Sequence, residues 1–128
     1  MGLDIFFFRR NRNKNAEVEA EEVAYFRKIN FLVRFFGDRG FDIPKQTPLE
    51  ITKGMCEELA ERCRTVLNDV TTCKELLPTM SGFFFGSTDY NNYYIHDVEE
   101  VLKELENNIL PAFDNLQDTE YITFETWY

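Results

Sequence analysis

The chemistry open to this chain turns on one histidine, three cysteines and 23 acids among 128 residues. His96, with Ser81 or Ser87 and Asp89 or Asp97, has the composition of a nucleophilic triad. The spacing argues against one. No Gly-x-Ser-x-Gly turn presents either serine, and His96 and Asp97 are adjacent on a predicted helix, where neighbouring side chains diverge. A zinc centre needs three or four His or Cys ligands in register, and Cys56, Cys63 and Cys73 show no CxxC spacing. Lys53-Gly54 lacks the upstream glycines of a phosphate loop, and the dinucleotide fingerprint is absent. The acids Glu57/Glu61 and Glu99/Glu100/Glu104 fall on predicted helix exteriors, where carboxylates keep ordinary pKa values and make poor general acids. The sequence thus offers no catalytic set, no metal-ligand set and no cofactor motif.

Two polar clusters remain. The first is the run SGFFFGSTDYNNYY at 81–94, with three aromatics between glycines, then small polar groups, then tyrosines. Asp89 sits there ahead of a helix, placed to cap it or to serve as a ligand or base. The second is Asn30, in an apolar row between Phe26 and Val33. A buried amide must find partners, and the irregular loop 86–92 is the nearest source of free backbone groups. Asn30, with Arg27, is therefore expected to pin that loop. The candidate ligand- or partner-binding residues are Arg27, Asn30, Ser87, Thr88, Asp89, Tyr90 and Tyr94. In a pocket, Arg27 would hold an anionic group and Asp89 would act as base.

The elements that position these residues follow from periodicity. Residues 3–8 read as a strand that begins by alternating and becomes continuously aromatic, as fits a strand covered on both faces or a central one. Residues 9–15 read as a polar loop. Tyr25, Ile29, Leu32 and Phe36 recur at helical spacing, which predicts a helix over 19–36, ended by Gly37 or Gly40. A second helix is predicted over 53–69, N-capped by Thr52, with Cys56 and Cys63 turned to the core as small hydrophobes. Phe83-Phe84-Phe85 reads as a short strand or an aromatic plug. A third helix is predicted over 93–109, capped by Asp89, Asn91 or Asn92 and broken or kinked by Pro111. Residues 120–128 alternate as a terminal strand. The expected fold is one α+β domain over 1–128, with a small antiparallel sheet pairing the N- and C-terminal strands against about three helices.

Charge is uneven. The chain carries a net −9, divided as +2 over 1–45 and −11 over 46–128. Such a surface repels phosphate backbones, which disfavours nucleic acid, and leaves basic protein partners open. An odd cysteine count without a recognisable leader suggests free thiols in a reducing compartment, hence a cytoplasmic protein. No apolar run reaches the roughly 20 residues of a membrane span. Twenty aromatics, 13 of them Phe, supply the core.

Three segments carry a family resemblance. Met1-Gly2-Leu3-Asp4-Ile5-Phe6 resembles an MGLDMY opening, Tyr25-Phe26-Arg27-Lys28-Ile29-Asn30 resembles YWRKAN, and 82–94 resembles GFFFGSTDYDEWY. Together they are similar to a family of small proteins from phages, prophages and bacteria including Bacteroides relatives. Phe26 stands where that pattern has tryptophan, and Asn91 and Asn92 stand where it has two acids. The resemblance implies no particular activity. Its motifs coincide with the two polar clusters.

These readings lead to three expectations. The first is a small non-enzymatic, phage-related protein-interaction module, with Tyr90, Tyr93 and Tyr94 in its contact surface and a protein as partner. The second is a small-ligand binder or enzyme with a pocket around Arg27, Asn30 and Asp89. The third is an acidic DNA mimic. Sequence leaves the oligomeric state open.

Overall fold

The aromatic run at 6–8 builds the centre of a sheet. The computed structural model describes residues 2–13, 20–82 and 85–128. Lys14, Asn15, Glu19, Phe83 and Phe84, on which parts of the sequence reading fall, lie outside them. Strands β1 (Asp4–Asn11), β2 (Glu21–Arg27), β3 (Leu49–Ile51) and β4 (Glu120–Trp127) form an antiparallel sheet in the order β2-β1-β4-β3. The two terminal strands pair as expected, with Phe7 opposite Phe124. β1 runs on to Asn11, opposite Glu120, so the expected loop begins later than its polar composition suggested.

Alternation sorts the sheet into two faces. Ile5, Phe7, Ala24, Phe26, Ile51, Ile122 and Phe124 are buried on the inner face. Phe124 stacks on Phe36 of α1 (Asn30–Gly37) at 4.3 Å between ring centroids, and meets Phe41 and Phe7 edge-on at 5.0 and 5.6 Å. Aromatic edge-to-face packing of this kind adds to the large area each ring removes from water. The outer face carries Phe6, Phe8, Tyr25 and Trp127. Phe6 and Phe8 are half-buried there, so of the two readings of the aromatic run the structure bears out the central strand, not one covered on both faces.

The helix expected over 19–36 is two elements. Residues 21–27 are β2, with Ala24 and Phe26 inward and Tyr25 and Arg27 outward. The chain turns at Lys28, which adopts a left-handed φ of 58°, and α1 starts only at Asn30. The ladder to β1 decides the conformation of 21–27, with Phe26 opposite Ile5 and Tyr25 opposite Phe6. α1 ends at Gly37. Gly40 at φ 114° supplies the reversal, and the Phe41 N–H returns to the Phe36 carbonyl at 3.0 Å.

α2 (Lys53–Asn68) begins at Thr52, whose hydroxyl accepts the Met55 N–H at 3.1 Å. This is the expected cap, of the kind that contributes about 1 kcal/mol. A 3₁₀ turn (Val70–Thr72) leads into the short α3 (Cys73–Leu76). α4 (Asn92–Glu104) packs on α2 and continues through a π turn (Leu105–Ile109) into α5 (Leu110–Asp114). Pro111 therefore does not break the helix. It falls in the first turn of α5, where a missing N–H is tolerated, and the π turn before it absorbs the change in register.

Cys56, Cys63 and Cys73 are buried free thiols. Burial pushes the Cys56 and Cys63 thiols up to about 12, so at neutral pH both are protonated core residues and not nucleophiles. Iodoacetamide at pH 8 is expected to leave these two unmodified in the native protein and to alkylate all three in urea. Mass spectrometry of the native sample showing Cys56 or Cys63 modified would contradict this packing.

Candidate functional site

Asn30 opens α1 and is buried, and every hydrogen-bonding group of its amide is occupied. Its Nδ2 donates to the Phe85 carbonyl at 3.0 Å and to the Ser87 carbonyl at 2.9 Å, and its Oδ1 accepts the Met80 N–H at 3.0 Å. One side chain thus ties both ends of the aromatic segment to the first helix, as expected, although Phe26 of the supposed helical row lies on β2 and Arg27 makes no hydrogen bond to the loop among the described residues. The contact brings the left-handed Lys28 and Gly86 (φ 84°) together. A Cβ on Gly86 would lie 3.3 Å from the Lys28 Cβ, on a backbone that side chains rarely adopt.

Beside this knot is a cleft of about 270 Å³. Arg27, Asn30, Ser87, Asp89 and Tyr94 all line it, together with Lys28, Asn91, Tyr93 and Asp97. Thr88 and Tyr90, the other two candidates, do not. The Thr88 carbonyl accepts the Thr79 hydroxyl at 2.9 Å, and the Tyr90 hydroxyl accepts the Thr79 N–H at 3.0 Å. Both hold the loop and leave the cleft to their neighbours.

Asp89 is not the cap of α4. That role belongs to Asn91, whose Oδ1 accepts the Tyr94 N–H at 3.1 Å, while the Asp89 N–H donates to Ser87 Oγ at 3.1 Å. Tyr94 is buried and donates to the Leu77 carbonyl at 2.8 Å. Burial raises its phenol above the ordinary range, so it serves as a fixed donor. Burial, helped by Glu100, also pushes the Asp97 carboxyl up, against a smaller opposing effect of His96. Ser87 and His96 do not share a site. His96 lies in a separate depression with Glu99, Glu100, Lys103 and Glu104, and its nearest acid is Glu100 at 4.0 Å. Among the described residues, no group of three or more His, Cys, Asp or Glu side chains is placed to hold a metal.

The expected tyrosine surface is not assembled. Tyr94 is buried, Tyr90 is half-buried against it with ring centroids 5.0 Å apart, and only Tyr93 is fully exposed. Two other exposed aromatics, Tyr25 and Trp127, lie with the half-buried Phe6 and Phe8 on the outer face of the sheet. Phe6 stacks on Phe8 at 5.1 Å and touches Tyr25 at 5.2 Å and Trp127 at 6.3 Å. Tyr25 is 42% and Trp127 68% exposed. A groove of about 780 Å³ runs along this face, with Arg10, Thr123 and Glu125 among its lining residues. Arg10 grips Glu125 through Nε and Nη2 at 2.8 and 2.9 Å, and Thr123 Oγ1 donates to the same carboxylate at 2.6 Å. Arg12 makes two bonds to Glu50, at 2.8 and 2.9 Å, and lies over the Tyr121 ring at 4.3 Å.

No family model, curated protein or solved structure matches this chain.

The sequence held one signal for the sheet face, the alternation of Tyr121, Thr123, Glu125 and Trp127. The other half of the face was hidden. Phe6 and Phe8 read as core within an unbroken aromatic run, and Tyr25 read as helical. No helix among the described residues is long and apolar enough to cross a membrane.

Proposed function

We propose that this protein is a small non-enzymatic protein-interaction module whose contact surface is the outer face of its sheet. The observation that carries the reading is the connected aromatic patch of Phe6, Phe8, Tyr25 and Trp127, on a face that leaves Tyr25 42% and Trp127 68% exposed among the described residues. Aromatic side chains with a rim of paired charges are the composition of protein interface cores. The charges argue against nucleic acid, because Arg10 and Arg12 are already engaged by Glu125 and Glu50 and phosphate binding needs cations that can exchange counterions. An acidic DNA mimic is less well supported. Glu58, Glu61 and Glu106 on the helical side are ion-paired with Arg39, Arg62 and Arg64, which interrupts any row of free carboxylates. Buried, protonated thiols suit a reducing, cytoplasmic setting, and the family resemblance supports a phage-related accessory role.

The test places a photo-crosslinking benzophenone amino acid at position 127 and, as control, at position 96. The expected result is a discrete protein adduct from the 127 variant that is absent from the 96 variant and lost when Phe6→Ser is added. Equal labelling at both positions, or no protein adduct at 127, would overturn the assignment.

The cleft supports a second reading, a small-ligand binder. Arg27 and Lys28 contribute cations and Asp89 and Asp97 carboxylates to one cavity, an arrangement suited to a small zwitterion. Thermal-shift screening of amino acids against wild type and Arg27→Ala separates it from the first.

A further inference from the structure

We infer that the free edge of β2 pairs with β2 of a second copy, joining two four-stranded sheets into one of eight strands. The inference starts from hydrogen-bond parity and is independent of the aromatic face. The Lys28 N–H bonds to the Leu3 carbonyl at 2.8 Å, so Leu3 and Lys28 are a bonded pair of the β1–β2 ladder. Bonded and non-bonded pairs alternate in an antiparallel ladder. Ile5 opposite Phe26 and Phe7 opposite Ala24 are therefore bonded, and Arg27 and Tyr25, opposite Asp4 and Phe6, direct their N–H and C=O away from β1. The other side of β1 agrees. The Arg12 N–H bonds to the Thr119 carbonyl at 2.9 Å, which gives the even-numbered residues of β1 to β4. β2 is at the end of the strand order, and no strand among the described residues lies beyond it.

Edges are ordinarily protected by proline, by charged side chains, by bulges or by an inward-pointing charge. The charges of β2, Glu21, Glu22 and Arg27, are all exposed, and residues 24–27, Ala-Tyr-Phe-Arg, hold no proline and no inward-pointing charge. A bulge between Phe7 and Phe8 in the β1 pairing shifts register towards Glu22 and limits the flat stretch to that run.

Charge selects the occupant. The sequence Glu21-Glu22-Val23-Ala24-Tyr25-Phe26-Arg27-Lys28 is acidic at its start and basic at its end. Two such strands placed antiparallel are complementary, because each acidic end meets the other's basic end. Centring the two-fold axis on Tyr25 matches outward-facing backbone to outward-facing backbone. It sets Arg27 and Lys28 of one protomer beside the partner subunit's Glu22. None of Glu22, Arg27 and Lys28 has an ion pair within the chain among the described residues. The interface is isologous and closed, as a two-fold dimer requires, and cross-strand pairs of opposite charge favour it.

The experiment is sedimentation equilibrium of the full chain across a concentration series at physiological salt, where repulsion between two net −9 copies is screened beyond about 8 Å. Wild type is expected to dimerise. Glu22→Lys and Arg27→Glu, each confirmed folded by circular dichroism, are each expected to weaken self-association by roughly a hundredfold, the scale of a like-charge clash across an interface. An equal mixture of the two variants is expected to recover dimers. Tyr25→Pro removes an outward N–H and leaves the β1 ladder intact, and it is expected to be monomeric. A monomeric wild type, dimers that survive Tyr25→Pro, or a mixture that fails to recover association would each overturn the pairing.

Discussion

Replacing Asn30 with aspartate is expected to destabilise the protein by about 3 kcal/mol, although the two side chains have nearly the same shape. The amide donates to two backbone carbonyls, those of Phe85 and Ser87, and accepts from the Met80 N–H. Aspartate keeps the acceptor but turns oxygen towards the two carbonyls. A buried polar group left without its partner costs about 1–3 kcal/mol, and two such groups are lost at once. Part of the loss is recovered because Ser87 is exposed and its carbonyl can take up water. Asn30→Leu removes all three bonds and is expected to cost a similar amount. For a chain of this size, either change should lower Tm by the order of 10 °C. Urea denaturation supplies the free energy, and amide exchange locates it. Protection should fall first at Met80 and through 85–90, before α2 is affected. An Asn30→Asp variant within about 1 kcal/mol of wild type would show that the loop is held by its aromatic side chains and not by the amide.

That Asn30 would be a pin was legible because the contradiction was local. A polar residue in an otherwise apolar row must be satisfied, and few segments had backbone groups to offer. The terminal strands were legible from sequence pattern, since polar and apolar residues alternate over Tyr121–Glu125 of β4 and β1 opens with alternation. β2 was not. Residues 21–27 satisfy a period of 2 through Ala24 and Phe26, while Tyr25 continues the 3.6 period of Ile29 and Leu32 further along the chain, and a stretch of seven residues cannot separate the two. The choice is made by β1, whose partner groups are distant in sequence, and by a turn at Lys28. That turn uses a left-handed φ without the glycine that would announce it. β3 is three residues long and exists only through its pairing with β4, so nothing in its own composition marks it. The cleft followed from Asn30, but its occupants were only partly foreseen. Thr88 and Tyr90 belong to the same loop, yet they turn to Thr79, and adjacent loop residues carry no periodicity from which their directions could be read.

The paired charges beneath the outer face lead to the second large effect. Arg10, opposite Tyr121 in the β1–β4 ladder, reaches along the face to Glu125, opposite Phe6, and their side chains are only 12% and 9% exposed. Arg10→Met is expected to cost about 3–4 kcal/mol, because it strands the Glu125 carboxylate in a groove where, among the described residues, Thr123 is its remaining side-chain hydrogen-bond donor. Glu125→Leu is expected to destabilise by a smaller amount, because it removes two bonds from a guanidinium that keeps its place over the Phe8 ring. The double variant Arg10→Met/Glu125→Leu should be far less destabilised than the sum of the two, and near wild type, since well-packed apolar pairs commonly replace buried ion pairs without loss. The cycle is closed by urea unfolding of all four proteins. Additive losses would mean that the two side chains act separately, each held by its own neighbours. A restored double variant would show instead that the pair contributes little net stability. Its role would then be to keep the floor of the aromatic face electrically satisfied without covering the rings, leaving Trp127 and Tyr25 exposed above it for contact.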